Sequence, residues 1–321
     1  MRFSCENLDV LVLTYNRAKT LRVMLDSLCT QTAVGFKIKV LNNASTDNTS
    51  EVVEEIKRLY PDRNIELLTS PVNLGNVGNF KHSQEVAGNE YTAIFHDDDA
   101  IHPEYIETAM RIFSKHNNLA MVTGHLEGLF NPTNYNWPIL YKKYWIYPKV
   151  KGVYLDLLVD RPVFCSNIYR TDIYKKLSYH AEKFGKLHDI CFIFDVCMEG
   201  EIAFVLGACV RWGQSPMQDS NDLKTGPFPG ELANICAHYE RLAGGSLTSK
   251  FLLWRFGIFL FEWSRIKNIS IDEFKEEYLL KNLTWKHYRI FDVKPIREVM
   301  RIVSKLKRKY YSHKLKHNPL A

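Results

Sequence analysis

What the chain lacks narrows the field first. No Gly-rich phosphate loop follows its first apolar run: Val10 to Leu13 leads into Thr14-Tyr15-Asn16-Arg17. That absence argues against a dinucleotide-dependent oxidoreductase and against a nucleotidyltransferase built on a related sheet. The cysteines, at 5, 29, 165, 191, 197, 209 and 236, are odd in number and form no C-x-x-C pair. A disulfide framework and a zinc site are both disfavoured, and the residues read as reduced cytosolic thiols. The most apolar stretch, Phe251 to Trp263, is about thirteen residues long and is interrupted by Arg255, too short for a membrane-spanning helix. Met1 to Leu8 show no basic, apolar and small-residue succession of a secretory leader, so the chain is expected to open directly into a domain.

Net charge is nearly absent over most of the length. Lys294 to Ala321 hold nine Lys/Arg and one acidic residue, while residues 1 to 293 hold 33 Lys/Arg against 35 Asp/Glu. The net +6 is therefore local to a tail, which argues against a nucleic-acid binder and for one basic face.

What is present is a 321-residue chain with 46% hydrophobic residues, enough for one α/β unit with a smaller appended module. Leu8 to Leu13 read as a strand, and Leu21, Met24, Leu25 and Leu28 recur at helical spacing. Phe36 to Leu41 form a second strand, followed by a cap-rich loop and the helical stripe Val52, Val53, Ile56 and Leu59. Ile65 to Leu68, the turn Asn73-Leu74-Gly75, a helix to about Ala87 and Tyr91 to Phe95 repeat the pattern. Such alternation predicts a mostly parallel sheet flanked by helices, with ligands beyond the carboxyl ends of the strands. Every polar cluster lies at such an end. Gly128 to Pro162 lack periodicity and read as loops and short strands forming an acceptor cleft. Beyond Gly230 the pattern is helical, with a capping box at Ser270 and Glu273. The expected division is 1–226 for the catalytic domain and 227–321 for the helical module.

The strongest chemical signal is Asp97-Asp98-Asp99 after the fourth strand. Three adjacent carboxylates repel, and a hard divalent cation relieves the repulsion while recruiting substrate phosphates. A solvated acidic turn capping the helix near Pro103 is the plainer alternative.

Four motifs in order then resemble family 2 glycosyltransferases of the GT-A fold, across about residues 8 to 220: Val10 to Arg17, Val40 to Thr49, Asn73-Leu74-Gly75 with Asn79, and Phe95-His96-Asp97-Asp98-Asp99 with Pro103. The resemblance implies a GT-A catalytic domain that binds a nucleoside-diphosphate sugar, UDP- or dTDP-linked, with Mn²⁺ or Mg²⁺. It places Thr14, Asn16, Arg17, Asn42, Asn73 and Asn79 in the nucleotide site, Asp97 and Asp98 at the ribose or metal, and Asp97 and Asp99 as metal ligands. Asn42 stands where the family usually has an aspartate; its amide can still accept from a pyrimidine N3 hydrogen. Asp47 reads as a cap of the second helix rather than a ligand.

Leu187-His188-Asp189 open a helical stretch ending at Gly200, matching the family's Glu-Asp helix start except for His188. Asp189 is the candidate base toward an acceptor hydroxyl, or else only a helix cap. Arg211-Trp212-Gly213-Gln214 and Gln218-Asp219-Ser220 resemble a worn late motif whose metal-binding histidine is missing. Arg211 is expected either to neutralise the diphosphate or to form a core salt bridge. The implied activity is inverting sugar transfer to a glycan or lipid-linked acceptor in surface-polysaccharide synthesis. A sugar-nucleotide-binding protein without turnover is the alternative.

Val299, Val303, Leu306 and Tyr310 share a stripe flanked by Arg301, Lys305, Lys307, Arg308 and Lys309. Such a helix fits an anionic membrane surface or a plain solvated face. Phe251 to Trp263 fit a buried helix, a homodimer contact or an interfacial helix. The expected location is cytoplasmic, either free or peripheral on the inner face of the cell membrane.

Overall fold

The computed structural model describes residues 3–127, 143–149 and 164–211, with positions 137, 140, 213, 235 and 238. The expectations for Gly128 to Pro162 fall largely outside these residues. Those for the capping box, the apolar stretch at 251–263, the basic tail and the boundary at 226 fall wholly outside them.

Three βα repeats and a fourth strand build the first half. β1 (Leu8–Thr14) and β2 (Lys37–Asn42) are followed by α1 (Ala18–Cys29) and α2 (Thr49–Leu59). β3 (Asn64–Thr69) precedes α3 (Gly75–Val86), and β4 (Tyr91–His96) closes the series. Strand residues alternate between two cores, as the pleat requires. Val10, Val12, Ile38, Val40, Ala93 and Phe95 face a core shared with α1 and α2. Leu11, Leu41 and Ile94 face the opposite core, shared with Phe80 of α3. The helices fit because their buried positions recur at three or four residues: Leu21, Met24, Leu25 and Leu28 in α1, and Val52, Val53 and Ile56 in α2.

β5 (Ala100–Ile101), α4 (Tyr105–Phe113), β6 (Leu119–Glu127) and β7 (Tyr144–Tyr147) come next. β8 (Asn167–Arg170), α5 (Thr171–Lys176), α6 (Ala181–Phe184), α7 (His188–Glu199) and β9 (Glu201–Arg211) complete the described chain. The nine-stranded sheet runs β3-β2-β1-β4-β8-β6-β9-β5, with β7 also on β9. The β1, β2, β3 and β4 pairings and β6 with β9 are parallel. β8 enters antiparallel between β4 and β6, which the βα alternation of the first half gives no hint of. Among the described residues no helix is long and apolar enough to cross a membrane.

Two features of this frame position the site. The parallel register sets Thr14 beside Asn42, Asn42 beside Thr69, and Leu13 beside His96, so the loops after β1, β2, β3 and β4 emerge along one edge. At the far end of β9, Arg211 pairs with Ala100 of β5, which returns the chain to the acidic loop between β4 and β5.

At the opposite edge, Asp9 is buried and accepts from Lys39 Nζ at 2.9 Å, Gly88 N at 2.8 Å and Asn89 N at 3.1 Å. This ties the α3–β4 connection to the sheet. Asp9→Ala would leave the buried Lys39 ammonium with the Val86 carbonyl oxygen but no carboxylate, and two amides without their acceptor, so a loss of about 3–5 kcal/mol is expected. Urea unfolding of the variant measures it.

Candidate active site

The first three loops are clasped into one body before any ligand is considered. Asn16 N donates to Ser45 Oγ at 2.9 Å, and Thr46 N donates to Asn16 Oδ1 at 2.7 Å. Asn42 Oδ1 accepts from Ser45 N at 3.0 Å. Asn43 then reaches the third loop: its Nδ2 donates to Asn73 Oδ1 at 2.9 Å, and its Oδ1 accepts from Leu74 N at 2.8 Å. Asn79, buried on α3, directs Nδ2 at Leu41 O over 3.5 Å, and its buried Oδ1 has no partner. Asparagine recurs here because its amide both donates and accepts and can replace a backbone turn. Asn16 and Ala44 hold left-handed backbone, φ 52° and 58°. Asparagine tolerates this conformation, whereas Ala44 carries strain of roughly 1–2 kcal/mol.

Asp47 does more than cap the second helix. Its Oδ1 accepts from Thr49 N at 3.1 Å at the start of α2, and its Oδ2 accepts from Ala18 N at 3.0 Å at the start of α1. Burial alone would raise its pKa, but the bonds from Thr49 and Ala18 outweigh that and hold the carboxyl below its ordinary value.

The acidic triplet lies at the end of β4. Asp97, Asp98 and Asp99 are 3%, 7% and 0% exposed, so a solvated turn is excluded. Nor do they cap α4, whose N-terminus has no side-chain cap and is separated from them by β5. Arg17 Nη1 bridges Asp97 Oδ1 at 3.0 Å and Asp98 Oδ2 at 3.1 Å. Burial raises the pKa of Asp97, partly offset by the Arg17 charge and the Thr14 hydroxyl. Asp99 Oδ1 accepts from Gly213 N at 3.1 Å. Its Oδ2 is buried with no nitrogen or oxygen partner; His96 Nδ1 lies 3.9 Å away and the Cys165 thiol is adjacent. Burial therefore pushes the Asp99 carboxyl up to about 7.

Ligand atoms of His96, Asp98 and Asp99 all lie within 4.8 Å of one another, which makes this trio the candidate metal centre among the described residues. The sequence points to Asp97 and Asp99; Asp99 belongs to this trio, while Asp97 lies against Arg17, as Asp98 does too. Gly213 is the residue the sequence does not single out. A Cβ there would lie 1.5 Å from the Asp98 carbonyl oxygen, so only glycine allows the chain after β9 to lie against the triplet.

Arg211 is buried, its guanidinium 4.3 Å from the Trp137 ring centroid, a cation–π contact. Gln214 and Gln218 to Ser220 lie outside the described residues. Asp189 is half-buried in the first turn of α7, where its Oδ1 accepts from Ile190 N at 2.8 Å. No described contact joins Asp189 to the triplet, but an aromatic chain links their neighbours. His96 stacks on Phe164 at 5.7 Å, Phe164 meets Tyr179 at 6.3 Å, and Tyr179 meets His188 at 3.8 Å. His188 is held by Gly185 O through Nδ1 at 2.5 Å.

Against this geometry, the family model described as Glycosyl transferase family 2 matches residues 9–178, just over half of the chain. An uncharacterized glycosyltransferase of Haemophilus influenzae is 27% identical over 124 residues, 39% of this chain and 38% of that protein. A chondroitin synthase of Pasteurella multocida is 28% identical over 135 residues, 40% of this chain and 14% of that protein. The chain thus matches well under half the length of these relatives. Among solved structures, S. aureus TarS in complex with UDP has a TM-score of 0.55 at 20% identity, covering 79% of this chain and 70% of that one. A Pyrobaculum calidifontis mannosyltransferase in complex with GDP-Man and Mn²⁺ has a TM-score of 0.59 at 13% identity, covering 95% and 87%. At these identities the two structures speak to the fold, which is the GT-A architecture.

Proposed function

The chain belongs to glycosyl transferase family 2, and on that premise we propose that it is an inverting glycosyltransferase moving a sugar from a nucleoside-diphosphate donor to a hydroxyl of a glycan or lipid-linked acceptor. The observation that carries this reading is the buried acidic triplet, with an orphaned Asp99 oxygen, beside three interlocked loops at the carboxyl edge of the sheet. The fold's ligand-bound relatives, with UDP in one and GDP-Man and Mn²⁺ in another, support a nucleotide-sugar donor.

The residues present fit a divalent cation. Asp98 and Asp99 offer hard oxygens, His96 a nitrogen, and the uncompensated Asp99 Oδ2 is the atom a cation would satisfy. Bound there, Mn²⁺ or Mg²⁺ supplies positive charge against the diphosphate as it leaves. The first three loops, through Thr14, Asn16, Asn42, Asn73 and Asn79, form a rigid cradle for the nucleoside, and Arg17 faces the phosphates. Asp189 takes the acceptor's proton as its oxygen attacks the anomeric carbon, and in-line displacement inverts that carbon. Residues 1–226 form the catalytic domain and 227–321 an appended helical module whose basic tail suits an anionic membrane surface.

Asp189→Asn tests the base assignment. Turnover is expected to fall on the order of a hundredfold while nucleotide affinity is unchanged. An unchanged rate would leave Asp189 a helix residue only.

A further inference from the structure

The geometry points to Arg17 as an exchangeable counter-ion: we propose that it neutralises Asp97 and Asp98 before the donor arrives and transfers to the donor's diphosphate once a cation takes over Asp98. The inference deepens the donor-site reading and rests on it.

Both ion pairs are made by one nitrogen, Nη1, at 3.0 and 3.1 Å. That is the contact of a point charge shared between two carboxylates, not the bidentate fork by which a guanidinium locks onto one. The carboxylates are fixed, their side chains 4% and 5% exposed, while the arginine side chain is 26% exposed. The cation is thus the partner a solvent-borne anion can reach. Its backbone does not depend on the contact: Arg17 O accepts from Thr20 N at 3.1 Å and Leu21 N at 2.9 Å at the start of α1. Asp98 belongs both to the Arg17 pair and to the trio with His96 and Asp99. A divalent ion on that trio therefore competes with Arg17 for one carboxylate and repels its charge. A diphosphate held by the same ion offers the displaced guanidinium a new anion. Metal and nucleotide would then bind cooperatively through Arg17, each strengthening the other by the same factor.

The test titrates Mn²⁺ alone, then UDP and GDP at saturating Mn²⁺, into the full chain and into Arg17→Gln and Arg17→Lys. Removing the competitor should tighten Mn²⁺ alone by about tenfold in Arg17→Gln, while the better-bound nucleotide weakens by about ten- to a hundredfold. Opposite signs are the diagnostic, because a merely structural role would weaken both. Arg17→Lys, which keeps the charge without the guanidinium, should fall between and carries the test if Arg17→Gln does not fold. Mn²⁺ affinity unchanged or weakened, or nucleotide affinity unchanged, in the variant that carries the test would overturn the exchange. A wild-type protein that binds neither Mn²⁺ nor nucleotide would overturn the donor-site reading itself, and that failure is seen before any variant is made.

Discussion

Asp99→Asn is expected to cost about 10³- to 10⁴-fold in turnover and yet to stabilise the metal-free protein above neutral pH. The loss follows from removing the anionic oxygen that best fits a cation, when such an ion contributes several kcal/mol of charge stabilisation. The gain follows from burial. The folded-state pKa of Asp99 is raised from 3.8 to about 7, so the folded chain holds this proton more tightly than the unfolded chain does. Its contribution to stability is complete below about pH 4, is lost as pH rises to about 7, and then amounts to a penalty of up to roughly 4 kcal/mol. An amide at the same position carries no such charge. Thermal unfolding from pH 4 to 8 should show the wild type falling relative to the variant across that window. Mn²⁺ should restore the wild type alone, and more strongly at pH 8 than at pH 5.5, where it must displace a proton. Parallel melting curves for the two proteins would show that Asp99 is not the strained carboxyl.

Gly213→Ala should be nearly as severe, although the residue carries no chemistry. Its Cβ would lie 1.5 Å from the Asp98 carbonyl oxygen and 2.7 Å from the carbonyl carbon, both backbone atoms that cannot rotate away. Either the acidic loop or the segment after β9 must shift, and the Gly213 bond to Asp99 Oδ1 goes with it. A displacement of about 1 Å at such a site costs on the order of a hundredfold in rate. Mn²⁺ affinity and turnover should fall together by at least that factor, while β1 to β4 keep their structure. Gly88→Ala, where the nearest atom to a new Cβ is 3.9 Å away, is the matched control. Full Mn²⁺ affinity in Gly213→Ala would mean the segment does not rest on the triplet.

The contrast between these two residues shows what could be read from sequence. Asp99 was legible because three carboxylates in a row after an apolar strand must be relieved either by solvent or by a cation, and the motifs around them favour the cation. The three βα repeats and the strand after them were legible because burial on both faces leaves continuous apolar strands and three-four helix stripes. Gly213 was not, since a close backbone approach across 114 residues leaves no local trace. The antiparallel entry of β8 was hidden for the same reason: Asn167–Arg170 is four residues long and its partners are set by tertiary packing. Asp47 illustrates a middle case. Its capping of α2 follows from position, but its second bond, to Ala18, requires the two loops to lie side by side. Likewise His96 was visible beside the triplet, while its approach to Asp99, 3.9 Å between Nδ1 and Oδ2, is set by how the loop after β4 turns.

The central claim is metal-dependent sugar transfer from a nucleotide donor, and nucleoside diphosphate release tests it most directly. Purified protein would be incubated with UDP-, dTDP- and GDP-sugars, with and without Mn²⁺, beside Asp99→Asn, and the same panel titrated by calorimetry. Mn²⁺-dependent release from at least one donor, lost in the variant, is expected. Absence of release together with absence of metal-dependent nucleotide binding across the panel would contradict it.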